Sequence, residues 1–336
     1  MQAIIFNKPD EPCKSVQAKK PEPSANEVLI KIKAAALNRR DYWIKKGIYQ
    51  GADFPCIPGS DGAGIVEKTG ENINKDWLKK EVIINPGLNW GDNPEYHNKD
   101  FHILGLPTQG TMAQYITVPV ENVYEKPGNW SFEKAAALPL AALTAYRALF
   151  TRAGLKKGDK VFITGAGGGV AVFLIQFAVA SGAEVFVSSS SEKKIKKAIQ
   201  LGAQNGVLYN QDGWETELEK MANSKFDIII DSAAGNNFQK LLGLLDIGGK
   251  IVIFGGTAGK IPEFTPAKLF WKQASIMGTT MGSPEDFQNM LTFVQEKNIE
   301  PVIDKIFPMM DAELAFKHME NHEQFGKIVI NIPEDY

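Results

Sequence analysis

Cysteine is nearly absent: the 336 residues hold only Cys13 and Cys56. Two thiols build no disulfide framework, and nothing else in the chain points to an oxidising compartment. Histidine is scarce, with four residues. His97 and His102 share a polar stretch without a thiol partner, and His318 and His322 stand four apart on one predicted helix. Neither pair is expected to hold a metal, which asks for a larger set of soft ligands. An excess of one charge is missing too. Lys plus Arg number 37 and Asp plus Glu 39, for a net charge of -2. Such a balance exerts no long-range pull on nucleic acid or acidic lipid. The most apolar segment, "AAALPLAALTAYRALF", carries Pro139 and Arg147 and falls short of the ~20 residues that span a bilayer. The start, "MQAIIFNKPDEP", puts charged and turn residues where a signal peptide needs an apolar core. No internal repeat or low-complexity segment occurs. The expectation is a soluble, cytoplasmic protein with no nucleic-acid or membrane partner.

What is present divides the chain. Its length suits about two domains. In the first third, "QAIIF", "EVLIKIKAAA", "GAGIVEK", "EVIIN" and "AQYITVP" are short β-rich runs between Pro, Gly, Asn and Lys. The stretch from Asn85 to Gly110 is too long and polar for an ordinary connection and is read as functional or mobile. Beyond it, "SFEKAAAL" and "AALTAYRALF" look helical. The apolar strands "KVFIT", "AEVFVS", "NGVLY", "FDIII", "KIVIF" and "SIMGT" then alternate with helices. Continuous Val/Ile runs of this kind predict a parallel sheet covered on both faces. The last strand, "GKIVINI", is expected to return to the first domain.

"KVFITGAGGGVAVFLIQFAVASGAEVFV" reads as strand, glycine turn, helix and second strand. In the register Ala166-x-Gly168-x-x-Ala171 it is a dinucleotide fingerprint. The glycines let backbone approach a pyrophosphate, and the helix amino terminus offers free N–H groups. An NAD site usually places Asp or Glu about 20 residues on, at the adenosine ribose. Here "VFVSSSSEKK" gives Ser189, Ser190, Lys193 and Lys194 instead, with Glu192 the one acidic side chain. Hydroxyls and ammonium groups suit a 2′-phosphate, so NADP(H) is the expected cofactor. The plainer reading, a helix cap followed by a solvated lysine face, is compatible with it.

With these motifs, "LPLAALTAYRAL", "DSAAG", "GGKIVIFGG" and the closing "GKIVI", the chain resembles the medium-chain dehydrogenase/reductase superfamily, in its zinc-free quinone oxidoreductase-like branch. The resemblance implies an α/β fold. A GroES-like β-rich catalytic domain would span 1–124 and 282–336, and a Rossmann doubly wound parallel-sheet domain 125–281, with a cleft between them. It also implies cofactor contacts at Thr144, Ala166, Gly167, Gly168, Gly169, Val170, Ser189, Ser190, Lys194, Tyr209, Gly255, Thr257 and Lys327. A homodimer formed by edge-strand pairing near "SIMGTTMG" is implied in the same way. Zinc members place their ligands where this chain has Asn38, Ser60 and Leu140, so no metal is expected.

Without a Lewis acid, the chemistry expected is hydride transfer from NADPH to a small electrophile, a quinone or an α,β-unsaturated carbonyl compound. "LNRRDYWIKKGIY" supplies the candidate catalytic residues Asn38, Asp41 and Tyr49. Asn38 would donate to the substrate oxygen or hold the nicotinamide ribose. Tyr49 would donate or relay a proton, or merely line the pocket. Asp41 would line the cleft or cap the helix that begins there. Arg39 and Arg40 are placed at the surface or in ion pairs. Leu88, Asn89 and Trp90 form either an apolar wall over substrate or a flap with Trp90 buried. Two rival functions remain, an enoyl thioester reductase and a non-enzymatic, crystallin-like NADPH-binding protein. In "FPCIPGSDGAG", Phe54 to Gly64, Cys56 is expected to pack as a small apolar side chain.

Overall fold

The computed structural model describes residues 1–263 and 265–334. The chain divides into two compact units, one of residues 1–141 and 283–336, the other of residues 142–282. The dividing line falls later than residue 125. The helix Phe132–Ala136 packs on the strands Glu27–Ala36 and Asp61–Thr69, which keeps residues 125–141 with the first unit.

The first unit is built on a seven-stranded sheet. Its central strand, Glu27–Ala36, pairs antiparallel with Asp61–Thr69, with Tyr115–Pro119 and with the late strand Lys327–Asn331. The carboxy-terminal segment therefore does return to the first unit. Register carries the consequence for function. Ala36 faces Asp61 on one side and Val329 on the other. Continuing the second pairing by two residues brings Lys327 opposite Asn38, just beyond the central strand. Small residues make the crowding possible. A Cβ on Gly64 would lie 2.2 Å from the carbonyl oxygen of Lys31 on the neighbouring strand. The core beneath is aliphatic and aromatic, with Phe6 and Phe316 in edge contact and Ile30, Ile32, Val66 and Ile84 fully buried.

The second unit is a six-stranded parallel sheet. Its spatial order is Asn205–Leu208, Glu184–Ser189, Lys160–Ile163, Phe226–Asp231, Leu245–Ile253, Ser275–Gly278. The predicted parallel strands are all in this sheet. The first in sequence, Lys160–Ile163, sits in the middle, and the chain winds outward from it in both directions. Ligands of such sheets bind at that switch point, beyond the carboxyl ends of the strands. Phe162, Phe186, Phe226 and Trp214 fill one face of the sheet with mutual ring contacts.

The polar stretch after Asn85 is less open than its composition suggests. Gly87–Leu88 pairs with His102–Ile103. Trp90 is buried, donates from Nε1 to the carbonyl oxygen of Asn93, and meets the rings of His97 and Phe101. Of the two readings for this segment, the structure has the buried tryptophan; Leu88 is buried too, in the first unit's core, and only Asn89 is exposed.

Gly326 introduces the Lys327 strand with φ of +108°, and a Cβ there would stand 2.2 Å from the carbonyl oxygen of Val302. Gly326→Ala combines left-handed strain with a backbone clash, so it is expected to cost about 2–5 kcal/mol. Urea unfolding would show the loss; an unchanged midpoint would mean the turn relaxes freely.

Candidate active site

In the first unit, three chain segments meet around a buried polar cluster. Asn38 caps the helix Arg39–Lys45, Ser60 and Asp61 open the strand Asp61–Thr69, and Lys327 opens the last strand. Asp61 is fully buried and Lys327 nearly so. Their side chains meet at 2.9 Å. Lys327 Nζ also donates to the carbonyl oxygen of Leu37 at 2.8 Å and to Asn38 Oδ1 at 2.7 Å. These three bonds use every donor of an ammonium group. Lys327 was expected at the cofactor; its side chain makes these contacts within the cluster. Asp61 is equally engaged. Its Oδ2 accepts from Lys327 and from Asn38 Nδ2 at 2.9 Å, and its Oδ1 accepts from the backbone N–H of Leu140 at 2.8 Å.

Asp41 lies at the third helical position, and its Oδ2 accepts from the backbone N–H of Asn38 at 2.8 Å. It is fully buried. This geometry is the helix cap, one of the two roles expected for it. Its Oδ1 has no hydrogen bond and lies 4.0 Å from Arg40. Burial pushes the Asp41 carboxyl above the usual carboxylate range, against the pull of Arg40 and the Asn38 N–H.

Arg40 is the residue that sequence reasoning underrated. Its guanidinium is buried and donates to Ser60 Oγ at 2.7 Å and to the carbonyl oxygens of Leu104 and Ile103. It lies over the ring of Tyr49, 5.0 Å from the ring centre. The signal was present: Arg40 is four residues before Ile44, on the helix face that points inward. The cluster thus gathers Asn38, Asp41 and, through Arg40, half-buried Tyr49. Cys56 packs in the adjoining apolar core, and burial pushes its thiol up to about 11, so it carries no thiolate near neutrality.

The second unit shapes its own site at the carboxyl ends of three adjacent strands. Gly165 and Gly167 take φ of +73° and +116°, which turns the chain sharply after Lys160–Ile163. The helix Gly169–Ala180 follows, capped by Gly168 with no side-chain partner. Its first-turn N–H groups are left to an anion. A Cβ at Gly168 would have no neighbour nearer than 3.9 Å, so the space in front of the turn is open. Val170 lies in the helix's first turn. Ala166 is tied to the next strand by its N–H to the carbonyl oxygen of Ser188 and by Ser189 Oγ to its own carbonyl. Ser190 is exposed beyond that strand end, Lys194 stands on the first turn of the helix Glu192–Gln200, and Tyr209 closes the neighbouring strand. Tyr209 is 40% exposed, so its ring is available to a ligand.

On the other side, Asp231 organises the turn "DSAAG". It accepts from Thr164 Oγ1 at 2.7 Å and from the backbone N–H groups of Ala233 and Ala234. Ala234 is thereby held at φ of +57°. Gly255 lies so close to Ser232 that a Cβ would meet its carbonyl at 2.7 Å, and Thr257 Oγ1 bonds the same carbonyl. Thr144 is buried on the helix Pro139–Tyr146. These residues fit a dinucleotide: a glycine turn, an uncapped helix start, and hydroxyl and ammonium groups rather than a carboxylate at the second strand end.

Comparison with known proteins agrees with this architecture. The family described as "Alcohol dehydrogenase GroES-like domain" matches residues 24–128, and that described as "Zinc-binding dehydrogenase" matches residues 169–296. A Leptosphaeria maculans protein named "Zinc-type alcohol dehydrogenase-like protein YogA" is 36% identical across 93% of this chain and 92% of its own. The quinone oxidoreductase of Homo sapiens is 30% identical, covering 89% and 87%. The 2-methylene-furan-3-one reductase of Solanum lycopersicum is 31% identical, covering 93% and 73%. A crystal structure described as an NAD-dependent alcohol dehydrogenase superimposes with a TM-score of 0.93 at 33% identity, over 99% of this chain and all of that one. The chain belongs to the medium-chain dehydrogenase/reductase superfamily. It is an oxidoreductase of that type, with a GroES-like unit and a Rossmann unit, and its cofactor is a pyridine nucleotide.

Two of those descriptions mention zinc, so the donors in this chain need a test. A catalytic zinc takes three ligands from thiolate, imidazole and carboxylate. Asn38 and Ser60 are neither, and the Asp61 carboxylate is already filled by Lys327, Asn38 and Leu140. Two resident cations, Lys327 and Arg40, bond the oxygens a dication would need. These residues do not fit a catalytic zinc. Among the described residues, no group of three or more His, Cys, Asp or Glu is arranged to hold a metal ion. His318 instead bonds Asp304 and Glu323, and His322 lies 3.0 Å from Arg39.

The raised carboxyl of Asp41 makes a prediction about stability. Its folded value lies above its unfolded one, so its contribution is greatest in acid and is lost as pH rises through the folded value. Asp41→Asn keeps an oxygen for the Asn38 N–H and carries no charge. Relative to wild type it should gain stability between about pH 4, near the unfolded carboxyl value, and about pH 8. Urea midpoints at both values check this; a variant that loses ground as pH rises contradicts it.

Proposed function

We propose that the chain is an NADPH-dependent, zinc-independent reductase of quinones or α,β-unsaturated carbonyl compounds. The observation that carries this is the cluster of Asn38, Asp61, Lys327 and Arg40, in which side-chain cations and an amide occupy the oxygens a metal would use. The names of two relatives, a quinone oxidoreductase and a furanone reductase, support the acceptor class. For the cofactor, support comes from Ser189, Ser190 and Lys194 standing where a carboxylate would select NADH. A similar structure is described as NAD-dependent, which makes cofactor choice the first property to measure.

When bound, NADPH supplies a hydride. The chain's own residues then have two tasks. One is to receive negative charge as it develops on the substrate oxygen, and Asn38 has an amide hydrogen without an acceptor among the described residues for it. The other is to supply a proton. The Tyr49 hydroxyl is the donor in this reading, with its ring held under the Arg40 guanidinium. Cytoplasmic location is part of the proposal; no helix among the described residues is long and apolar enough to cross a membrane. So is a homodimer, for which the strand Ser275–Gly278 offers a sheet edge unpaired among the described residues.

Fluorescence titration should give NADPH an affinity at least about tenfold above NADH, the worth of one or two charge-assisted hydrogen bonds. Addition of a quinone or an enal should then consume the bound NADPH. Equal affinities would remove the cofactor assignment, and tight binding without consumption would favour a non-enzymatic role.

A further inference from the structure

We infer that Lys327 and Asp61 are positioning residues that fix the carboxamide of Asn38 in one orientation, aiming its second N–H as the donor to the substrate oxygen. The inference rests on the reading of Asn38 given above and adds to it how the amide is held.

Donor and acceptor types decide which way the amide faces. A carboxamide can usually turn over and exchange its oxygen and nitrogen. Here it cannot. On one side stands an ammonium group, which only donates; on the other stands a carboxylate, which accepts. Asn38 Oδ1 must therefore face Lys327 and Nδ2 must face Asp61, as the 2.7 Å and 2.9 Å bonds show. A flipped amide would set N–H against ammonium and oxygen against carboxylate, two repulsive contacts between buried groups.

Each arm of the clamp is itself immobilised. Lys327 is held by the Leu37 carbonyl and by Asp61, and Asp61 is held by the Leu140 N–H and by Thr111 Oγ1 on its carbonyl oxygen. The Asn38 backbone is fixed by Asp41 Oδ2. The ammonium on Oδ1 also draws electron density from the amide, which strengthens the remaining N–H as a donor. Lys327 and Asp61 carry opposite charges, so the clamp holds the amide without adding net charge.

Two measurements test this. In 15N-labelled protein, the Asn38 side-chain amide is identified by its loss in Asn38→Ala. The hydrogen bonded to Asp61 should exchange slowly in wild type and much faster in Lys327→Met. Rapid exchange in wild type would overturn the clamp, whether or not the protein reduces any substrate. The second measurement is a double-variant cycle in steady-state reduction of trans-2-hexenal by NADPH. Lys327→Met and Asn38→Ala should each slow the reaction by roughly ten- to a hundredfold, as small misplacements do. The KM for NADPH should stay within about twofold of wild type in both. The double variant should be no slower than Asn38→Ala alone. Multiplying effects, or a raised KM for NADPH in Lys327→Met, would overturn the assignment. If Lys327→Met does not fold, Lys327→Arg takes its place in both measurements. It keeps a charge for Asp61 while displacing the amide, and wild-type exchange and turnover in that variant would count against the clamp. Failure of wild type to reduce trans-2-hexenal or any quinone would fall on the proposed function, and the exchange measurement would still decide the clamp.

Discussion

The first unit depends on a buried ion pair, Lys327 with Asp61, set where three remote segments meet. A buried pair is weak evidence for stability in itself, because two charges must give up water. Losing one partner is another matter and typically costs about 3–5 kcal/mol, since the other charge is stranded. The pair therefore ties the last strand to the start of the Asp61–Thr69 strand and to the helix cap at Asn38. Sheet register explains why it forms. The pairings that set Ala36 opposite both Asp61 and Val329 bring Lys327 beside Asn38 and Asp61, where its side chain bonds both.

The second unit solves a different problem, the binding of a polyanion by backbone. It uses no buried charge at the glycine turn. Positive φ values at Gly165 and Gly167, an uncapped helix and the strained Ala234 turn held by Asp231 provide N–H groups and close approach. Local side-chain chemistry matters only at the margin, where Ser190, Lys194 and Tyr209 flank the end of the second strand. Each unit thus brings its own chemistry, oriented polar side chains in one and exposed backbone in the other.

Much of this was legible in the sequence. Apolar runs of Val and Ile alternating with helices announced the parallel sheet, and the glycine turn announced its ligand, because both depend on local composition and spacing. The return of "GKIVINI" to the first unit was legible as well. The roles of single polar residues were not. Lys327 looked like a cofactor contact because the resemblance gave it a role but not a direction. Only the register across some 290 residues shows that its ammonium faces Asn38. Arg40 was expected at the surface or in an ion pair, and it is buried 4.0 Å from Asp41. The helix face it shares with Ile44, and the Ser60 hydroxyl waiting for it, are tertiary facts. Trp90 had two readings that no local pattern could separate, and the folding of its loop onto His97 and Phe101 chose one.

The proposed zinc-independent reduction rests on Lys327, Arg40 and Asn38 occupying the oxygens that a catalytic zinc would need. The most direct measurement is the metal content of the active protein, purified without chelator and dialysed, read beside its turnover. Substoichiometric zinc with full activity is expected, and the same activity after exhaustive treatment with EDTA. One zinc per chain that survives dialysis, with activity lost on its removal and restored by its return, would contradict it.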